Sequence, residues 1–224
     1  MRGPQEDREL RVGDPDAVVG DARRVGLFGG SFDPIHAGHL VPVRQARERL
    51  ALDRVIYLPT ARPPHKPKQH FAPAHARFCM VELALLGEEG LYASAHELTL
   101  GRPAYTVETV EAFQRRWPGV RFHLLVGSDS FAELATWRRW QDLAAQVRLA
   151  VMARPGWQPG RIRPRLPDEL GRLVDAGEID FVLHDPVDLS ATELRRILAR
   201  GEDPPPGAVP APVLDYIRKY SLYR

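Results

Sequence analysis

A chain of 224 residues, 44% hydrophobic with a formal net charge of +2, holds enough apolar mass for one α/β domain and too little charge excess for a dedicated nucleic-acid surface. A single cysteine, Cys79, excludes an intrachain disulfide framework and fits a reducing compartment. No apolar run approaches the length of a bilayer span and no signal-peptide core is present, so a cytoplasmic protein without membrane contact is expected.

Residues 1–22 are polar, contain Gly and Pro, and carry neither a helical nor a strand period, which predicts a flexible extension ahead of one domain spanning 23–224. Strands are predicted at 23–28, 54–58, 91–93, 121–126, 147–152 and 179–183. Helices are predicted at 38–50, 73–86, 106–117, near 130–134, and at 167–175, 192–200 and 210–220. Repeated alternation of strand and helix implies a parallel sheet covered on both faces. Ligands of such sheets bind beyond the carboxyl ends of the strands, where the topology reverses direction. The stretches at Gly29, Pro59, Gly127 and Asp185 all follow predicted strands directly, so they are expected to gather at one sheet edge. The prolines of 60–71 (Pro63, Pro64 and Pro67) and of 201–207 (Pro204, Pro205 and Pro206) mark surface loops.

The run Gly29-Gly30-Ser31-Phe32-Asp33-Pro34-Ile35-His36-Ala37-Gly38-His39 sits at a predicted strand-to-helix junction. Glycines there let the backbone approach an anion, and a helix N-terminus offers N–H groups to it. His36 and His39 are spaced to lie on one face of the first helical turn. The run is neither a dinucleotide fingerprint, which needs Gly-x-Gly-x-x-Gly, nor a Walker loop, which needs Gly-Lys-Ser/Thr. It predicts a phosphate site with two imidazoles built in.

Taken whole, the run resembles the signature of the nucleotidylyltransferase superfamily, whose His-x-Gly-His element holds a nucleoside triphosphate. The chain from about Val25 onward is similar to bacterial nicotinate-nucleotide adenylyltransferases. That resemblance implies a Rossmann-like, doubly wound parallel sheet with helices on both faces and a C-terminal helical segment. It also implies transfer of AMP from ATP to nicotinate mononucleotide, giving deamido-NAD and pyrophosphate in NAD biosynthesis.

Further stretches support the narrower likeness. Pro63-Pro64-His65-Lys66 resembles the family's Pro-Pro-His-Lys loop and implies Lys66 as a point charge for the nicotinate nucleotide's phosphate. Arg102-Pro103-Ala104-Tyr105-Thr106-Val107-Glu108-Thr109 resembles Arg-Pro-Ser-Tyr-Thr-x-Asp-Thr, with Ala104 and Glu108 in place of Ser and Asp, and implies Tyr105 and Thr106 at a carboxylate. Gly127-Ser128-Asp129 resembles Gly-Ala-Asp, with Asp129 suited to ribose hydroxyls. Trp137, in Thr136-Trp137, offers a flat face to a pyridine ring, and Trp140 suits the core equally well. Leu189-Ser190-Ala191-Thr192-Glu193-Leu194-Arg195 resembles the second phosphate motif, Ile-Ser-x-Thr-x-x-Arg; read alone, Ser190 and Glu193 form an ordinary capping box.

The expected division of labour follows. ATP meets Gly29, Gly30, Ser31, Phe32, His36, His39, Gly127, Asp129, Ser190, Thr192 and Arg195; the nicotinate nucleotide meets Lys66, Tyr105, Thr106 and Trp137. His36, His39 and Arg195 carry catalysis by stabilising charge, and Mg2+ arrives on the ATP phosphates rather than in a protein cage. A zinc set from His65, His70, His75 and Cys79 is disfavoured, since only His75 and Cys79 have helical spacing. Alternatives are a nicotinamide-mononucleotide or pantetheine-phosphate adenylyltransferase and, from another class, a non-catalytic nucleotide sensor. No motif separates nicotinate from nicotinamide, and a homo-oligomer is left open.

Overall fold

The computed structural model describes residues 18–61, 71–154 and 156–224. In chain order these form β1 (Arg24–Gly30), α1 (Ala37–Arg49), β2 (Arg54–Pro59), α2 (Ala74–Ala84), β3 (Leu91–Ala93), α3 (His96–Thr99), α4 (Thr106–Arg116) and β4 (Arg121–Gly127). There follow α5 (Ser128–Ala132), α6 (Trp140–Gln146), β5 (Arg148–Ala153), α7 (Pro159–Ile162), α8 (Asp168–Asp175), β6 (Ile179–Leu183), α9 (Ala191–Ala199) and α10 (Ala211–Lys219). All six strands pair in parallel in the order β3-β2-β1-β4-β5-β6. The chain winds outward from β1 to β3, then crosses back and winds the other way from β4 to β6. The reversal between β1 and β4 is the switch point that such a sheet offers to ligands.

The apolar strands read as continuous runs because both faces of the sheet are buried. Successive side chains go to opposite layers: Val55 and Tyr57 pack with α1, α2 and α10, while Ile56 and Leu58 pack with α4 and α6. Likewise Ala150 and Met152 enter the first layer, and Leu149 and Val151 the second. Burying a Leu, Ile, Val or Phe on either side contributes about 1.5–3 kcal/mol relative to exposure.

Two expectations need correction. Residue 22 is too late a boundary, because Val18 and Val19 are 5% and 0% exposed and join the second core layer with Ala22. Arg54 ties this stretch down by donating to the Val18 carbonyl and the Asp21 carboxylate. The short helices α3, α6 and α7 were not foreseen. Four to seven residues, with bounds set by neighbouring packing, carry too little periodicity to register. The loop at 201–207 is as predicted, whereas residues 62–70 of the other loop, with Lys66, His65 and His70, lie outside the described residues.

Candidate active site

The turn leaving β1 carries the first group of functional side chains. Phe32 takes a left-handed backbone (φ 46°) and drops its ring into the core, 5.5 Å from Phe28 and 5.2 Å from His39 between centroids. Its side chain is fully buried and meets the His39 ring edge-on, which leaves its backbone as the part that faces a ligand at this turn. Gly38 is required by close approach, because a Cβ there would lie 2.8 Å from His36 Cε1.

His36 and His39 together cap α1. The Gly38 N–H donates to His36 Nδ1 (3.1 Å), and the His36 N–H donates to His39 Nδ1 (3.3 Å), a reciprocal capping box built from imidazoles. The Ala37 N–H donates to the Ala208 carbonyl (2.8 Å) and the His39 N–H to the His36 carbonyl (2.8 Å). The first N–H groups of α1 are therefore already occupied, which corrects the expectation that they would face an anion. What the turn presents instead follows from the caps. A ring nitrogen that accepts an N–H carries no proton, so each neutral imidazole holds its proton on Nε2 and can donate it outward. Burial lowers the His36 pKa to about 4. His39 is pushed well below the ordinary histidine value by burial and by His36 beside it. The ring centroids are 3.9 Å apart, giving two neutral donors side by side.

Residues from the far end of the chain complete the turn. Ser190 caps α9, its Oγ accepting from the Glu193 N–H (3.4 Å), and Thr192 is exposed in the first turn. Arg195 donates to the Asp33 carbonyl (2.7 Å) and to Thr192 Oγ1 (3.2 Å), with Asp33 Oδ2 at 3.8 Å. Asp33 itself is fully buried; its Oδ1 accepts from the Ala72 N–H (3.1 Å) and the Tyr223 hydroxyl (2.8 Å). Arg77, 1% exposed, braces the same turn by donating to the carbonyls of Ser31 (2.6 Å), Thr60 (2.7 Å), Ala61 (3.1 Å) and Ala72 (3.0 Å).

Beside the turn, a cavity of about 260 Å³ opens over the carboxyl ends of β1 and β4. Gly29, Gly30 and Ser31 form one wall, Gly127 and Ser130 another, and Tyr105, Thr106 and Trp137 a third. A Cβ at Gly29 would meet nothing within 4 Å, so that wall is open to a ligand. Thr106 begins α4 and Trp137 is half-buried, whereas Trp140 is a core residue. Asp129 stands exposed in the first turn of α5 next to Ser130. The structure thus brings together the predicted residues of β1, α4, β4 and the 137 turn around one cavity, and His36, His39, Ser190, Thr192 and Arg195 around the adjoining turn.

Four residues of this region escaped the sequence reading in any functional role: Arg77, Glu97, Arg138 and Tyr223. Arg138 lies over the Tyr105 ring at 4.5 Å on the cavity wall, next in sequence to the flagged Trp137, a signal that was available. Glu97 had none. It lines the cavity from α3, is 5% exposed, accepts from the Thr109 hydroxyl through Oε1 (2.9 Å) and leaves Oε2 without a hydrogen-bond partner among the described residues. Burial raises its pKa from 4.5 to about 7. The folded protein therefore holds this proton more tightly than the unfolded chain, and stability present below pH 4.5 is lost as pH rises through 7, by about 3 kcal/mol in all. Chemical denaturation of Glu97→Gln should show that fall removed. A variant whose stability tracks the wild type from pH 4.5 to 8 would contradict the assignment of this titration to Glu97.

Among the described residues no group of three or more His, Cys, Asp or Glu is arranged to hold a metal, and no helix is long and apolar enough to cross a membrane.

The family model of cytidylyltransferase-like proteins matches residues 27–197, the span that holds nearly all of this sheet, the turn and the capped helix. Among curated proteins, one from Laribacter hongkongensis is 42% identical over 209 residues, covering 89% of this chain and 94% of its own length. Another, from Aeromonas salmonicida, is 38% identical over 214 residues (89% of this chain, 97% of its own), and both carry the name "Probable nicotinate-nucleotide adenylyltransferase". A solved structure, Plasmodium falciparum nicotinic acid mononucleotide adenylyltransferase complexed with APC, superimposes with a TM-score of 0.66 at 16% identity, covering 90% of this chain and 97% of that one, a likeness of fold. The chain belongs to the nicotinate-nucleotide adenylyltransferase family.

Proposed function

We propose that this chain transfers the AMP of ATP to nicotinate mononucleotide, forming deamido-NAD and pyrophosphate in cytoplasmic NAD biosynthesis. One observation carries the reading: the cavity holding Tyr105, Thr106 and Trp137 shares its Gly29–Ser31 wall with the turn that carries His36 and His39. Two nucleotides bound on either side of that wall meet at the switch point between β1 and β4.

The attacking atom is a phosphate oxygen of the mononucleotide, already ionised at neutral pH, so no general base is needed. Its bond to the α-phosphorus forms as the bond to the β-phosphate bridge breaks, and pyrophosphate departs with the electron pair. Positioning and charge stabilisation supply the rate. His36 and His39 donate Nε2–H to the ATP phosphates, and Arg195 with Thr192 and the Ser190 turn takes the departing β- and γ-phosphates. Imidazole and guanidinium N–H donors suit phosphate oxygens, and Mg2+ rides on ATP as part of the substrate.

Gly127 and Asp129 receive the adenosine end, Asp129 accepting from ribose hydroxyls. Trp137 stacks on the pyridine ring, while Tyr105, the start of α4 at Thr106 and the Arg138 charge face the nicotinate carboxylate. Lys66 takes the nucleotide's phosphate. Glu97, largely neutral below pH 7, sets little negative charge against that carboxylate.

Purified protein given ATP with nicotinate mononucleotide, nicotinamide mononucleotide or pantetheine phosphate in parallel tests the reading. Pyrophosphate release is expected with nicotinate mononucleotide in clear preference, matched mole for mole by deamido-NAD. Preference for either other acceptor would overturn the substrate, and silence with all three would favour a nucleotide sensor.

A further inference from the structure

The catalytic reading leaves Asp33 and Tyr223 without a task, yet they are joined across 190 residues of sequence by a 2.8 Å hydrogen bond. A fully buried carboxylate is costly unless its oxygens find donors. Asp33 Oδ1 has two, the Ala72 N–H and the Tyr223 hydroxyl, whereas Oδ2 is buried with no hydrogen bond among the described residues and lies 3.8 Å from Arg195 Nη1. The same guanidinium nitrogen donates to the Asp33 carbonyl at 2.7 Å. Tyr223 is itself fixed: it follows α10, which packs on α2 through Val213 and Ile217, and its hydroxyl lies 4.0 Å from Met80 Sδ.

We infer that Tyr223 is a positioning residue for the transfer reaction: by holding Asp33 Oδ1 it fixes the rotation of the carboxylate, and the carboxylate in turn sets where Arg195 points. Two constraints then bear on the guanidinium from one residue, a hydrogen bond to the backbone oxygen and an attraction to Oδ2. Both act on Nη1, while Nη2 donates to Thr192 Oγ1 at 3.2 Å. Without the tyrosine hydroxyl, Oδ1 keeps only the Ala72 N–H at 3.1 Å, and the loosened carboxylate turns toward Arg195 and draws it from the departing phosphates. Arg77 contributes charge to the same carboxylate, but its hydrogen bonds go to four backbone carbonyls and not to Asp33, so it does not replace the lost orientation. The role rests on the reading of Arg195 given above.

A double-mutant cycle between Tyr223→Phe and Arg195→Ala tests it, with kcat, both KM values and melting temperature measured for all four proteins. Phenylalanine keeps the ring and removes only the donor. Tyr223→Phe alone is expected to lower kcat about tenfold with KM for the mononucleotide unchanged, since a small misplacement of a catalytic group acts on the transition state. In the Arg195→Ala background the same change should cost nothing further, because residues that act through one another are not additive. An equal loss in both backgrounds would mark a merely structural residue and overturn the inference. So would an unchanged kcat in the single variant. An Arg195→Ala protein as active as wild type would instead remove the role of Arg195, and with it the reason for positioning. Should Tyr223→Phe unfold, Asp33→Asn carries the comparison, with loss confined to the Arg195-containing background expected and equal loss in both contradicting.

Discussion

His39→Ala is expected to lower kcat by about 10²–10³, roughly 3–4 kcal/mol of transition-state stabilisation. The reason is local. His39 uses Nδ1 to accept the His36 N–H, leaving Nε2–H as its outward donor, and the Phe32 ring packs against it edge-on. Alanine removes that donor from a place where the capped α1 supplies no N–H substitute, since the Ala37, Gly38 and His39 amides are already bonded. The fold should survive, because the lost cap costs about 1 kcal/mol, well within ordinary domain stability. Steady-state kinetics alongside a melting curve separate the two effects. Turnover within threefold of wild type would show that the imidazole carries no catalytic load.

Arg77→Met is expected to be the most destabilising single change at the site, by about 3–5 kcal/mol. Four carbonyls, of Ser31, Thr60, Ala61 and Ala72, lose their donor inside the protein, and the buried Asp33 carboxylate loses a compensating cation. Methionine fills much of the space, so the cost is mainly unmet hydrogen bonding and unbalanced charge rather than a cavity. For a domain of this size the melting temperature should fall by roughly 10 °C. Urea denaturation checks the figure, and a loss below about 1 kcal/mol would mean that the buried guanidinium is not the brace of this turn.

Much of the architecture could be read directly from the chain, for identifiable reasons. Strands such as Arg148–Ala153 are apolar on both faces over 149–152, so they stand out as short runs between polar turns. The histidine pair was legible because glycine, proline and both imidazoles coincide within one helical turn. What the pair does to the helix was not. That the Ala37 amide is taken by the Ala208 carbonyl depends on a residue 171 positions away, with no local trace. Arg77 lies in an unremarkable helical stretch and gains its meaning only where the turns after β1 and β2 converge on it. Glu97 sits on a four-residue helix and is placed by Thr109, so its burial against the cavity is a property of assembly. Val18 and Val19 show the converse case: two apolar residues in a polar stretch suffice when a sheet face waits to be covered.

In the proposed reaction His36 and His39 act as neutral donors on the ATP phosphates and never as nucleophiles. The stereochemical course of the reaction with ATP carrying a chiral α-phosphorothioate tests this most directly. A single in-line displacement by the mononucleotide phosphate inverts the configuration at the α-phosphorus, and inversion is the predicted result. Retention would require two successive displacements through an adenylylated residue, and would contradict the account.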